Sequence, residues 1–198
     1  MATKEDILEQ IVEEYLVHQG YFVQHNIKFL PPKDHPDFVP KQDSNHSDID
    51  VVGYHPTLEG DRKVLAVSCK SWQSGFDPKT QIEAIRNNKI VAGKEAWRRF
   101  RELVKPKWSA GFINAVRLAT GTDHFTYVTA VTKLTGDKSI WEDDPSFKNL
   151  MNGNPIMILT LQDMVLEIQG KLTKTLAATE IGRLLQLFQA ANMKVRDG

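Results

Sequence analysis

Apolar residues recur at three-to-four spacing near the start of the chain, at Ile7, Leu8, Ile11, Val12, Tyr15 and Leu16. This spacing predicts an amphipathic helix over residues 3–19 that Thr3 can cap and Gly20 ends. Residues 21–30 read as a strand whose alternation is weakened by Gln24, His25 and Asn26. Residues 31–46 carry four prolines and little apolar content, the pattern of a loop that the core does not need. Two stronger strand signals follow over 49–54 and 63–69, joined by the turn-rich segment 55–62, and they predict an antiparallel hairpin. From Asp77 or Pro78 to about Val104 the pattern is helical, interrupted at Gly93 and stopped by Pro106. Strands are expected over 125–132 and 156–159, and helices over 161–170 and 175–192. The order of elements suits an α/β sandwich with a mixed central sheet flanked by helices. It also suits one domain over residues 1–198, with a core at about 5–160 and a helical C-terminal part at about 161–193.

Composition narrows the class without pointing to a reaction. At 198 residues, 41% hydrophobic and 25% charged, the chain has the make-up of an ordinary soluble globular domain. Its 25 basic and 25 acidic side chains cancel, so any attraction to a polyanion must be local. Cys69 is the single cysteine, which excludes an internal disulfide and a cysteine-rich zinc site. The chemistry fits a reducing, cytoplasmic setting, and no apolar run approaches the length of a membrane span. No His pair stands at i, i+4 spacing for zinc, and no glycine-rich phosphate loop, nucleophile elbow or dinucleotide fingerprint occurs.

The chemistry concentrates between His46 and Lys70. Asp50 stands at the start of one predicted hairpin strand and Lys70 at the end of the other, so an antiparallel pairing brings a carboxylate and an ammonium group to one sheet edge. Alternation puts Ser68 and Lys70 on one face and Val67 and Cys69 on the other. Asp48 could replace Asp50 if the strand began two residues earlier. The run Ile49-Asp50-Val51-Val52-Gly53, followed by Val67-Ser68-Cys69-Lys70, resembles the PD-(D/E)xK nuclease superfamily. Holliday-junction resolvases and Mrr-like restriction enzymes are the nearest in layout.

That resemblance covers roughly residues 5–132 and implies a restriction-endonuclease-like sandwich and hydrolysis of phosphodiester bonds with Mg2+, for which Mn2+ is the usual substitute. It also implies a helical Glu about three turns before a Gly-aromatic pair; Glu9 stands eleven residues before Gly20-Tyr21, with Glu13 one turn later. The acidic position of the triplet is here Ser68, a poor ligand for a hard cation. Some members with Ser-x-Lys carry the missing acid on the following helix. Glu83, thirteen residues after Lys70, is the candidate for that role. On this reading Asp50 and Glu83 hold metal, Glu9 acts as an outer ligand through water, and Lys70 orients or deprotonates the attacking water. A catalytically silent nuclease-like binding module is the alternative.

Eight basic residues against two acidic ones between Arg86 and Lys107 form the local positive surface that the overall charge does not show. Gln81, Arg86, Lys89, Lys94 and Arg98 are the candidates for contact with nucleic acid, DNA in the first instance. Trp72, Trp97 or Trp108 could stack on a base if exposed. The apolar stripe of the last helix packs on the core or, as its second use, forms a homodimer contact.

Overall fold

The computed structural model describes residues 6–193. Its centre is a five-stranded mixed sheet in the order β1 (Phe22–Phe29), β2 (Ser47–Tyr54), β3 (Val64–Lys70), β6 (Thr126–Val131), β7 (Ile156–Thr160). The first three strands are antiparallel neighbours, whereas β3, β6 and β7 run parallel, as their helical crossovers require. The expected α/β sandwich is therefore present. The expected cap Thr3 lies outside the described residues; Asp6 caps α1 (Ile7–His18) by accepting from the Leu8 N–H at 2.9 Å.

One sheet face is covered by α1 and α8 (Leu161–Lys171), with Leu8, Val12, Leu16 and Met164 packed on Val51, Val67, Val128 and Ala130. The other, larger core lies beneath α5 (Pro106–Thr120), α4 (Arg101–Val104) and the 3-10 turn Ala96–Phe100. Here Phe76, Phe100, Trp141 and Phe147 meet edge to face with centroids 4.8–5.0 Å apart where Trp141 is a partner. Remaining helices are the short α2 (Pro40–Asp43), α3 (Pro78–Arg86), α6 (Ser139–Glu142) and α7 (Pro145–Leu150), and α9 (Glu180–Ala190).

Two expectations are corrected. Residues 77–104 are not one helix: α3 ends at Arg86, a hairpin of β4 (Ile90–Val91) and β5 (Lys94–Glu95) follows, and Ala92 and Gly93 turn it with φ of 50° and 75°. Two successive positive φ values are the geometry of a type I′ hairpin turn, which a helix cannot contain. Pro106 stops a helix as expected, since α4 ends at Val104 and Lys105 before the proline is extended, and it also begins α5, because its fixed φ and missing N–H suit the first helical position. The loop at 31–46 is likewise not dispensable. The helical Gly111 touches its first residues so closely that a Cβ there would overlap the Leu30 carbonyl oxygen. Lys107 bonds the Asp43 carboxylate at 2.7 Å and the Asp37 carbonyl at 3.0 Å. These clamps tie α5 to the segment that delivers β2.

Candidate active site

The ladder between β2 and β3 ends at the pair Val51↔Val67. One step further on, Asp50 leaves its partner strand's backbone unpaired and offers its side chain instead: Oδ2 accepts from the Cys69 N–H at 2.6 Å. The strand also turns over at this point. Ile49 and Val52 both enter the larger core, although strict alternation would put residues three apart on opposite faces. Across from Asp50 on β1, Asn26 has a φ of 53°, the left-handed conformation that Asn tolerates better than most residues. There the facing of β1 changes too: His25 reaches Glu13 of α1 at 3.2 Å, while Ile27 packs on the larger core. The apparent weakness of alternation at Gln24, His25 and Asn26 thus has a structural meaning, a kink beside the site.

Strand β2 does begin two residues earlier than expected, at Ser47. Asp48 nevertheless faces out, paired with Lys28 at 3.0 Å, and Asp50 is the acid that points inward. Burial pushes its carboxyl above the ordinary value, against the pull of the Lys70 charge and the Cys69 N–H, and Asp48 and Glu102 push the same way as burial. Its negative charge is therefore short of compensation.

Lys70, the last residue of β3, is half-buried. Its Nζ donates to Ser68 Oγ at 2.8 Å and lies 5.4 Å from the centre of the Phe100 ring. Among the described residues it makes no ion pair with Asp50, although its charge acts on that carboxylate. Behind Ser68 is Tyr127, fully buried on β6, whose hydroxyl donates to Glu102 Oε1 at 2.6 Å. Burial, then the charge and the hydrogen bond of Glu102, drive that hydroxyl well above its ordinary pKa, while Ser68 opposes the shift. Two hydrogen-bonded pairs, Lys70 with Ser68 and Tyr127 with Glu102, thus follow one another from the site into the larger core.

The sequence-derived candidates divide accordingly. Asp50, Ser68 and Lys70 are brought together. Glu83 is not: it lies exposed on α3, and the acids whose charges act on Asp50 are Asp48 and Glu102. The buried face of α3 is set by Pro78, Ile82, Ala84 and Ile85, which directs position 83 to solvent. Glu9 approaches the thiol of Cys69, on the α1 face of the sheet, opposite the face that carries Ser68 and Lys70. Gln81 is half-buried on α3, and the exposed Arg86 is engaged with the buried Asp144 at 2.7 Å. Lys89, Lys94 and Arg98 are exposed around the 90–95 hairpin. Glu102 and Tyr127 escape a reading of the sequence because an acid in a basic run and a tyrosine in an apolar strand carry no local mark of being partners.

Among the described residues no three His, Cys, Asp or Glu side chains gather to cage a metal. Magnesium seldom needs such a cage, because it keeps several waters and is bound by one or two carboxylates together with substrate phosphate oxygens. Asp50, with one oxygen on the Cys69 N–H and its charge uncompensated, suits that looser mode. Comparison with family models, with characterised proteins and with solved structures finds no match.

Proposed function

We propose that the protein is a Mg2+-dependent nuclease that hydrolyses phosphodiester bonds in DNA, of the PD-(D/E)xK kind. The observation that carries this reading is the convergence of a buried carboxylate, Asp50, and a half-buried lysine, Lys70, beyond the end of the β2–β3 ladder, where the Lys70 charge acts on Asp50 without an ion pair between them. This place is the carboxyl end of β3, beside the parallel β6, the usual place for ligands in α/β sheets. A cation held by Asp50 and a phosphate beside Lys70 would together complete such a site.

When bound, the metal ion would polarise the phosphoryl oxygen and acidify a water. Asp50 would hold it, with Glu102 as the second acid whose charge reaches the same spot. Lys70 would orient the attacking water and balance negative charge developing on the phosphate. Ser68 holds the amine, and behind it Tyr127 holds the Glu102 carboxylate, which would stand in for the acid that the triplet lacks.

A second reading is favoured by the lack of a three-acid cluster among the described residues: a nuclease-like module that binds nucleic acid without cutting it. Cleavage of supercoiled, linear and branched DNA with Mg2+ or Mn2+ separates the two, with Asp50→Ala and Lys70→Ala as controls. The nuclease reading requires cutting by the wild type and its loss in both variants. Inertness on every substrate, with binding retained, selects the second reading.

A further inference from the structure

We infer that the 90–95 hairpin and the arginines behind it are a seat for double-stranded DNA, with the hairpin lying in a groove and Lys89, Lys94 and Arg99 on phosphates. This rests on the nuclease reading for its place but on separate observations for its content. The hairpin stands apart from the central sheet as its own two-stranded unit. Ile90 is 65% exposed, and a Cβ added at Gly93 would meet nothing within 4 Å, so the tip is open on all sides. A tight type I′ turn nevertheless keeps it rigid, and the Ala96 N–H extends the ladder by bonding the Lys89 carbonyl at 2.8 Å. Val91 packs on the larger core, which leaves Ile90 as a bare apolar side chain on a seated ribbon. Such a ribbon fits the major groove, about 12 Å wide, where an apolar side chain can meet a thymine methyl.

Beside the ribbon is a concavity of about 720 Å³ whose far wall is Arg98, Arg99 and Arg101. The wall is continuous with the active site: Phe100, between Arg99 and Arg101, lies under Lys70. Arg99 is held by the Trp72 ring at 5.0 Å and by the Val91 carbonyl at 3.5 Å, and Arg101 by the Trp108 ring at 4.6 Å. Aromatic faces fix these guanidinium groups without neutralising them. Acid partners remove other cations of the region from play: Arg86 is on Asp144, Lys107 on Asp43 and Arg98 on Glu95. Lys89, Lys94, Arg99 and Arg101 remain to give the groove its sign.

The same contacts argue against single strands. Base stacking needs open indole faces. Trp97 is covered by Arg98 and Lys105 at 5.0 and 4.8 Å, Trp72 lies against Phe76 as well as Arg99, and Trp108 is buried. Phosphate contact and groove insertion are what this surface offers.

The test is fluorescence anisotropy in EDTA with a labelled duplex and its single strand, across a salt series. Wild type should prefer the duplex. The double variant Lys89→Ala/Lys94→Ala should bind it about tenfold more weakly, with the slope of log K against log salt falling by about 0.9 for each phosphate no longer neutralised. Ile90→Ser, which removes the apolar contact without adding charge, should weaken duplex binding at unchanged salt slope and leave the unfolding temperature unmoved. Equal affinity for both strand forms, or variants that bind like wild type, would overturn the inference even if the enzyme cuts DNA. Duplex binding that depends on the hairpin in a protein that never cuts would uphold it while removing the nuclease reading.

Discussion

Asp50→Asn should make the protein more stable while removing its activity. The raised pKa of Asp50 means that, in the fold, burial together with the Asp48 and Glu102 charges outweighs the help of Lys70 and the Cys69 N–H. Ionised Asp50 therefore costs stability, and an amide removes the charge while its oxygen can still accept from Cys69. The gain is limited by Lys70, which loses a nearby negative charge. A single substitution that relieves such strain typically yields about 0.5–2 kcal/mol, and in a domain of this size each kcal/mol moves Tm by about 2–4 °C. The pH dependence fixes the cause. Because the folded-state pKa lies above the unfolded one, the folded state binds the proton more tightly. Wild-type stability then falls as pH rises from the ordinary carboxyl value of 3.8 through the raised one. The Asn variant lacks that loss, so its advantage should be full at pH 7 and shrink on acidification toward pH 4. Thermal unfolding from pH 4 to 7, in metal-free buffer with EDTA, measures it. A variant less stable than wild type at pH 7, with a gap independent of pH, would show that Asp50 is a satisfied structural carboxylate and not a group held ready for a cation.

Glu83→Ala should leave nuclease rate unchanged, since the side chain is solvent-facing on α3, whereas Glu102→Gln should lower it at least tenfold; initial rates of plasmid nicking check both. Gly111→Ala would ordinarily stabilise a helix by up to about 1 kcal/mol, but the overlap with the Leu30 carbonyl reverses the sign, and urea unfolding should show a loss of about 1–3 kcal/mol. Lys107→Met leaves the buried Asp43 carboxylate without its cation and should cost about 3 kcal/mol at pH 7. Burial raises the Asp43 pKa, but the hydrogen bonds of Lys107 and the Val39 N–H and the nearby cations hold it below 3.8, so the pair's stabilisation is complete above that value and lost as pH falls through the depressed one. Unfolding curves of the variant should consequently be flatter than wild type in that acid range.

The sheet was legible where strands alternate between apolar faces, and so was the meeting of Asp50 and Lys70, because antiparallel pairing forces the ends of β2 and β3 together. Elements whose identity depends on a special residue were not. Pro106 was legible as the end of one helix, but that it also starts the next is carried only by the periodicity of Trp108, Phe112, Ala115 and Val116 beyond it. The strands β4 and β5 have two residues each, too few for alternation to appear, and Ala92-Gly93 interrupts a helical pattern as readily as it turns a hairpin. Glu83 had the right sequence distance from Lys70 but the wrong side of α3. Glu102 had the right position in space but sits in a cationic run that reads as solvated surface, and its burial depends on Tyr127 from a strand 25 residues away.

On the proposed nuclease reading, this long-range pairing would account for a serine where the resemblance expects an acid. A lysine half-buried against Phe100 needs a negative charge within reach, yet a carboxylate at position 68 would lie against Glu102 and Tyr127 in a fully packed core. A hydroxyl accepts from Lys70 and acts on the Tyr127 hydroxyl behind it without adding a second buried charge. If the two pairs work as one network, Ser68→Ala and Tyr127→Phe must couple. Each alone should cost about 1–2 kcal/mol through the polar group it strands, and the double variant should lose less than the sum by about 0.5–1 kcal/mol. The kinetic half of the cycle is the more telling: either variant should weaken cleavage by displacing Lys70, and the second should add little to the first. Losses that simply add, in both unfolding free energy and cleavage rate, would mean that Ser68 and Tyr127 serve separate ends, and that Glu102 stabilises the core without reaching the site.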